Sequence, residues 1–131
     1  MLTLPRWENV THTLIYLECT APWTWSDMIA AHQIGYQMCG TVAHRVDFIL
    51  DMTRAGTSIP DNALMNLAEI VLYPPKNHGQ HLLVGLHART LPMFKSLIAT
   101  VGRIYDVTPP LAFADTLDEA YRLLQGESRV T

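Results

Sequence analysis

Charge is scarce in this chain: 16% of its 131 residues are charged, nine Lys and Arg against twelve Asp and Glu, for a formal charge of -3. The few cations are scattered, so the clustered basic footprint of a nucleic-acid binder or a polybasic membrane anchor is missing. Cysteine is scarcer still. Cys19 and Cys39 show neither paired nor metal-ligand spacing, and neither has a basic neighbour in sequence to activate it. Long apolar runs are absent too: stretches such as "HLLVGLHA" fall far short of the roughly 20 residues of a spanning helix. The opening "MLTLPRWENV" lacks the charged-then-apolar build of a signal peptide. These absences predict a soluble, cytoplasmic protein with no nucleic acid and no membrane span among its partners.

Catalytic signatures are missing as well. There is no G-x-S-x-G elbow, no G-x-x-x-x-G-K-[ST] loop and no G-x-G-x-x-G fingerprint, so neither a nucleotide nor another cofactor is expected, and an enzyme is not. No repeat, low-complexity tract or linker divides the chain, which predicts one domain over residues 1–131. What is present is apolar: 49% of residues are hydrophobic, enough for a sizeable interior without a disulfide or metal staple.

That apolar content alternates between two periods. "LTLPRWE" and "HTLIYLECTA", separated by "NVTH", predict an antiparallel hairpin whose first strand is an edge, because Pro5 cannot donate to a ladder. In "PWTWSDMIAAHQIGYQMCGTVAHR", Thr24 stands three residues before Asp27 as an imperfect capping box. Trp25, Met28, Ile29, His32, Tyr36, Cys39 and Val42 then form one helical stripe, and Trp23 is placed to staple to Met28. Gly35 and Gly40 weaken that helix or permit close packing. "VDFILDM" has the continuous apolar character of a central strand covered on both faces. From Asp61 a second helix carries Leu64, Leu67, Ile70 and Val71 on one face and stops at Pro74-Pro75.

"QHLLVGLHA" predicts another buried strand, and "LPMFKSLIATVGRIYD" a helix packing through Phe94, Leu97, Ile98, Val101 and Ile104. "PLAFAD" is a last short strand. A full capping box, Thr116 with Glu119, opens a closing helix that ends at Gly126. The order β-β-α-β-α-β-α-β-α predicts an α/β fold with a mixed, mainly parallel sheet and an N-terminal hairpin.

The stretch "LDMTRAGTSIPDNAL", Leu50 to Leu64, concentrates the candidate chemistry. Asp51 ends a parallel strand on its carboxyl side, where open α/β sheets bind ligands. The plainer alternative makes Asp51 the acceptor of an Asx turn and Asp61 or Ser58 the cap of the next helix. Arg54 with Thr57 and Ser58 could hold an isolated anion at that helix start. Among the six histidines, His81 and His87 on one strand would stand about 20 Å apart at roughly 3.3 Å per residue, too far to share an ion. His78 would meet His81 only if its loop folded back, so solvated or loop histidines and no metal site are expected. His32 is expected to be a satisfied, semi-buried core histidine. Trp7, Trp23 and Trp25 are expected to pack the hairpin on the first helix rather than line a cleft.

The element order, with "FILDM" leading through a Thr/Ser loop into a helix, resembles the STAS domain of anti-sigma factor antagonists and its SpoIIAA-like relatives. The resemblance covers nearly the whole chain. It implies a phosphorylatable Asp-Ser pair at the helix start, where this sequence has Asp61-Asn62; a switch would have to use Thr57 or Ser58, which precede Pro60. The "PWTWSDM" opening and the "FILDM" strand are also similar to a group of small bacterial proteins, a likeness that implies no particular activity. The resemblance implies a non-enzymatic regulatory or protein-interaction module, acting through Asp51, Thr53, Thr57, Ser58, Asp61 and Asn62. An alternative is a carrier of a small apolar or lipid-like ligand in a cleft between sheet and helices. An enzyme pairing Asp51 with a loop hydroxyl is a third.

Overall fold

The computed structural model describes residues 1–130, with side chains through residue 125. Elements follow in the order β1 (Arg6–Trp7), β2 (Leu14–Thr20), α1 (Trp25–Cys39), β3 (Val46–Arg54), α2 (Ala63–Val71), β4 (His78–Val84), α3 (Leu91–Tyr105), β5 (Leu111–Ala114) and α4 (Leu117–Val130). They build a five-stranded sheet in the sequential order β1-β2-β3-β4-β5, antiparallel between β1 and β2 and parallel elsewhere. The alternating order read from the sequence is this order.

Alternation along each strand sorts side chains onto the two faces of the sheet. Ile15, Leu17 and Cys19 of β2, Phe48, Leu50 and Met52 of β3 and Leu83 of β4 belong to one core with Trp25, Met28, Leu67, Ile70 and Phe94 of α1, α2 and α3. The opposite face, Leu14, Tyr16, Ile49, Leu82, Val84 and Ala114, is covered by α4 through Ala120 and Leu124. Sequential parallel strands joined by same-handed crossovers leave three helices on one face. Only the last helix, which has no following strand, crosses to the other.

Local signals explain most element ends. Thr24 caps α1, its Oγ1 accepting from the Asp27 amide at 3.1 Å. Thr116 Oγ1 accepts from Glu119 N at 3.1 Å, while the Glu119 carboxylate accepts from Asp115 N at 3.0 Å, one residue earlier than an ideal capping box. Gly35 lets α1 lie against the sheet: a Cβ there would stand 2.8 Å from Phe48 Cε2.

Several boundaries differ from the sequence reading. β1 holds two residues, with a separate bridge from Leu2 to Cys19, because Pro5 interrupts the ladder. α2 starts at Ala63, after Asn62 in a left-handed conformation (φ 64°), instead of at Asp61. β4 starts two residues earlier than expected and ends at Val84, so His87 is in a loop. Ile104 is exposed on α3, outside the predicted packing face. α4 continues past Gly126 to Val130.

Candidate functional site

Asp51 lies near the carboxyl end of β3, on the α4 face of the sheet. Tyr16 Oη donates to its Oδ2 at 2.6 Å, and Thr53 donates to its Oδ1 from both amide (3.0 Å) and hydroxyl (2.6 Å). Burial alone would raise the carboxyl pKa; the hydrogen bonds from Thr53 and Tyr16, with the Arg54 charge, outweigh it and hold the group below its ordinary value. The Tyr16 phenol is pushed up, first by burial and then by Asp51. This is an ionised carboxylate engaged from within the fold, the Asx-turn arrangement extended across to β2.

The loop after β3 is held from above by two indoles. Trp23 Nε1 donates to the Ala55 carbonyl at 3.2 Å and Trp25 Nε1 to the Pro60 carbonyl at 2.9 Å, the two rings meeting edge to face at 5.0 Å. Trp7 takes no part and stacks on His12 instead. Thr53 at the end of β3 and Thr57, Ser58, Asp61 and Asn62 along this loop are exposed. Neither Asp61 nor Ser58 caps α2: the cap position is Asn62, whose side chain makes no capping bond. Arg54 is drawn to Glu18, 3.7 Å away, which sets its charge against a carboxylate instead of an anion at the α2 start.

Beyond the loop an open groove of about 520 Å³ runs between α2 and α3, lined by Ile59, Pro60, Ala63, Pro92, Met93 and Leu97. Met93 is 51% exposed, and Met65, one turn into α2, is 77% exposed. The void enclosed where α1, α2 and α3 meet the sheet is only about 20 Å³, bordered by Trp25, Met28, His32, Leu67 and His81. It offers room for about one water and none for an acyl chain.

The histidines depart most from the sequence reading. His32 (1% exposed) and His81 (3%) are buried, and with half-buried His78 they form a hydrogen-bonded row. His32 Nδ1 lies 2.8 Å from the Met28 carbonyl, His32 Nε2 lies 3.1 Å from His81 Nε2, and His81 Nδ1 lies 3.1 Å from His78 Nε2. Phe48 stacks on His81 at 5.1 Å, and Tyr36 meets His32 and His78 edge-on. His78 and His81 share a face without the loop folding back, because β4 bulges: Val46 and Phe48 of β3 oppose His78 and His81, two residues of advance against three. Asp47 Oδ1 secures the bulge, accepting from Gln80 N at 2.8 Å and Arg45 Nε at 2.9 Å. A Cβ on Gly79 would collide with that same oxygen and with Arg45 Nε.

Burial lowers the basicity of all three rings. His32 falls to about 4, against a small upward pull from the Met28 hydrogen bond; His78 falls to about 4 through burial and then the charges of His32 and Arg45. His81 falls well below its ordinary value from burial and its two neighbours. Cys19 and Cys39 are buried free thiols pushed up by burial to about 12 and about 11, the opposite of activation.

The chain matches no protein-family model, no curated protein and no solved structure. Among the described residues no group of three or more His, Cys, Asp or Glu is arranged to hold a metal ion. Nor is any helix among them long and apolar enough to cross a membrane.

The residues named from the sequence lie along the end of β3 and the loop that follows it, and they separate by role. Asp51 and Thr53 brace the strand end, while Thr57, Ser58, Asp61 and Asn62 face outward beside the groove. The histidine row was the missed feature. Its sequence trace is faint: a histidine within the α1 apolar stripe requires a buried polar partner, and His81 heads the run "HLLV".

Proposed function

We propose that this chain is a STAS-like module that acts without catalysis, by docking a protein partner on the groove between residues 59–63 and 92–97. The observation that carries the reading is exposed Met93 lining an open groove at the end of the loop, with a second exposed methionine, Met65, in the first turn of α2. Methionine is a side chain that adapts to a partner's shape, and exposed apolar surface of this kind marks association sites. The expected occupant is a segment that inserts an apolar side chain between Pro60, Ala63, Met93 and Leu97, with Asp61 at the rim for a cation. The carrier alternative has less support, since the interior void is about 20 Å³. An Asp51-based enzyme has less still, because both carboxylate oxygens are occupied by Tyr16 and Thr53.

The fold analogy supports a regulatory role for such docking. With Asn62 at the helix start, phosphorylation at that position is not its switch. Affinity capture from the native host tests the reading, comparing the wild type with Asn62→Arg, Met93→Glu and a distant control, Lys76→Glu. A partner retained by wild type and control and reduced at least ten-fold by both groove variants is expected. An identical partner set on all four baits would move the interaction site elsewhere.

A further inference from the structure

The protons of the histidine row can be assigned from one fixed point. A carbonyl oxygen only accepts, so His32 Nδ1 carries hydrogen toward Met28 and, in a neutral ring, His32 Nε2 is an acceptor. His81 Nε2 must then donate to it, which leaves His81 Nδ1 as the acceptor for His78 Nε2–H. The row therefore has one direction, and it ends at His78 Nδ1, a buried nitrogen with no hydrogen-bond partner among the described residues. His78 also borders an open depression lined by Arg45, Lys76 and Asn77, on the solvent side of the row.

We propose that the row is an acid-responsive latch between α1 and the sheet: His78 Nδ1 takes up a proton, the three rings relay the charge inward, and the buried cation parts α1 from β4. A proton arriving at His32 Nε2 or His81 Nδ1 would set two N–H groups against each other. His78 Nδ1 accepts one without losing a hydrogen bond. His78 then passes its Nε2 proton to His81 Nδ1, and His81 passes its own Nε2 proton to His32 Nε2. Both ring–ring hydrogen bonds are kept with their polarity reversed, the bond from His32 Nδ1 to the Met28 carbonyl is unchanged, and one positive charge now resides on His32. His32 faces apolar Trp25, Met28, Leu67 and Ile70 around the enclosed void.

Few groups can compensate that charge. From α1 the titratable neighbours are Tyr36 and, beyond it, Cys39; from β4, His78 and His81; next to β3, the cation Arg45, already paired with Asp47. β3 and α3 present Phe48 and Phe94, and α2 presents the Ile70 carbonyl, which accepts from Tyr36 Oη at 2.8 Å. Among the described residues no carboxylate hydrogen-bonds or ion-pairs with any of the three rings. An isolated cation at such a site is relieved by hydration; the void holds about one water, and fuller hydration of the ring requires the helix layer to separate from the sheet.

Two-bond ¹H–¹⁵N correlation on the full chain with ¹⁵N-labelled histidine tests the assignment directly. At pH 7.5 the expected pattern is three neutral rings, His32 protonated at Nδ1 and His81 and His78 at Nε2, identified apart from exposed His12, His44 and His87 by substitution. On acidification the three native signals should vanish together as binding of an apolar-surface dye rises. In the double variant His32→Leu/His81→Leu that midpoint should shift at least one pH unit lower. An opposite tautomer, a cationic ring at pH 7.5, or one ring protonating while native signals of the other two persist would overturn the proposal. The wild-type pattern and titration decide the matter even if the double variant does not fold.

Discussion

His32 Nε2 and His81 Nε2 meet at 3.1 Å, joining α1 to β4 at a depth where both rings are almost fully removed from solvent. The contact turns a histidine that reads as a satisfied core residue and one that reads as solvated into a cross-link between helix layer and sheet. Its geometry depends on a strand bulge, a carboxylate that holds the bulge and a glycine that leaves space for that carboxylate.

Stability should fall in mild acid. His32 and His78 bind protons at about 4 in the folded chain against an ordinary value of 6.5, so below 6.5 the unfolded chain takes up more protons. Their contribution is complete above pH 6.5 and is lost as pH falls toward 4. Urea titrations at pH 7.5 and pH 5 should differ by a few kcal/mol, because each tenfold difference in proton affinity between the folded and unfolded chain is worth about 1.4 kcal/mol. Asp51, whose folded pKa is lowered, contributes in a separate window: its stabilisation is present above its ordinary value of 3.8 and is lost below it. Asp51→Asn should therefore leave the difference between pH 7.5 and pH 5 unchanged.

Tyr16→Phe removes one of the three donors to the Asp51 carboxylate. A hydrogen bond to a buried charge contributes roughly 1.5–3 kcal/mol, and a loss of that order is expected in urea unfolding. The Asp51 carboxyl should also become easier to protonate, visible as a raised midpoint in a ¹³C carboxyl titration.

Gly35→Ala opposes two effects. Alanine improves α1 by about 1 kcal/mol in intrinsic helix propensity. Its Cβ, however, would stand 2.8 Å from Phe48 Cε2, and Phe48 is fully buried against His81 and Tyr36. Overpacking of this kind costs roughly 1–3 kcal/mol, so the variant should have a lower melting temperature. Phe48→Leu combined with Gly35→Ala should cost less than the sum of the two single changes.

Trp25→Phe keeps an aromatic ring in the core but loses the donor to the Pro60 carbonyl. The expected cost is about 1 kcal/mol, concentrated on the loop. Hydrogen exchange should quicken around Ala55 and Ile59 while β3 amides such as Ile49 stay protected.

The sequence by itself determined the order of elements, the edge position of β1, the capped starts of α1 and α4 and the central place of β3. Each is written in short-range chemistry: Pro5 without a donor, Thr24 and Thr116 ahead of helical stripes, an unbroken apolar run from Phe48 to Leu50. Only the tertiary structure decided what the polar residues do. Asp51 reads from the sequence as a strand-end acid or, more plainly, an Asx-turn acceptor; its further donor, Tyr16, 35 residues away, is visible only in the fold. Trp23 and Trp25 read as plain packing until their N–H groups are found on the loop carbonyls. The histidine row lies furthest from sequence view, because His32 and His81 are 49 residues apart and His78 joins them through a one-residue bulge that reverses strand parity. Periodicity reports which face a residue occupies, but the partner of a buried polar atom is chosen by whichever distant element the fold brings within about 3 Å.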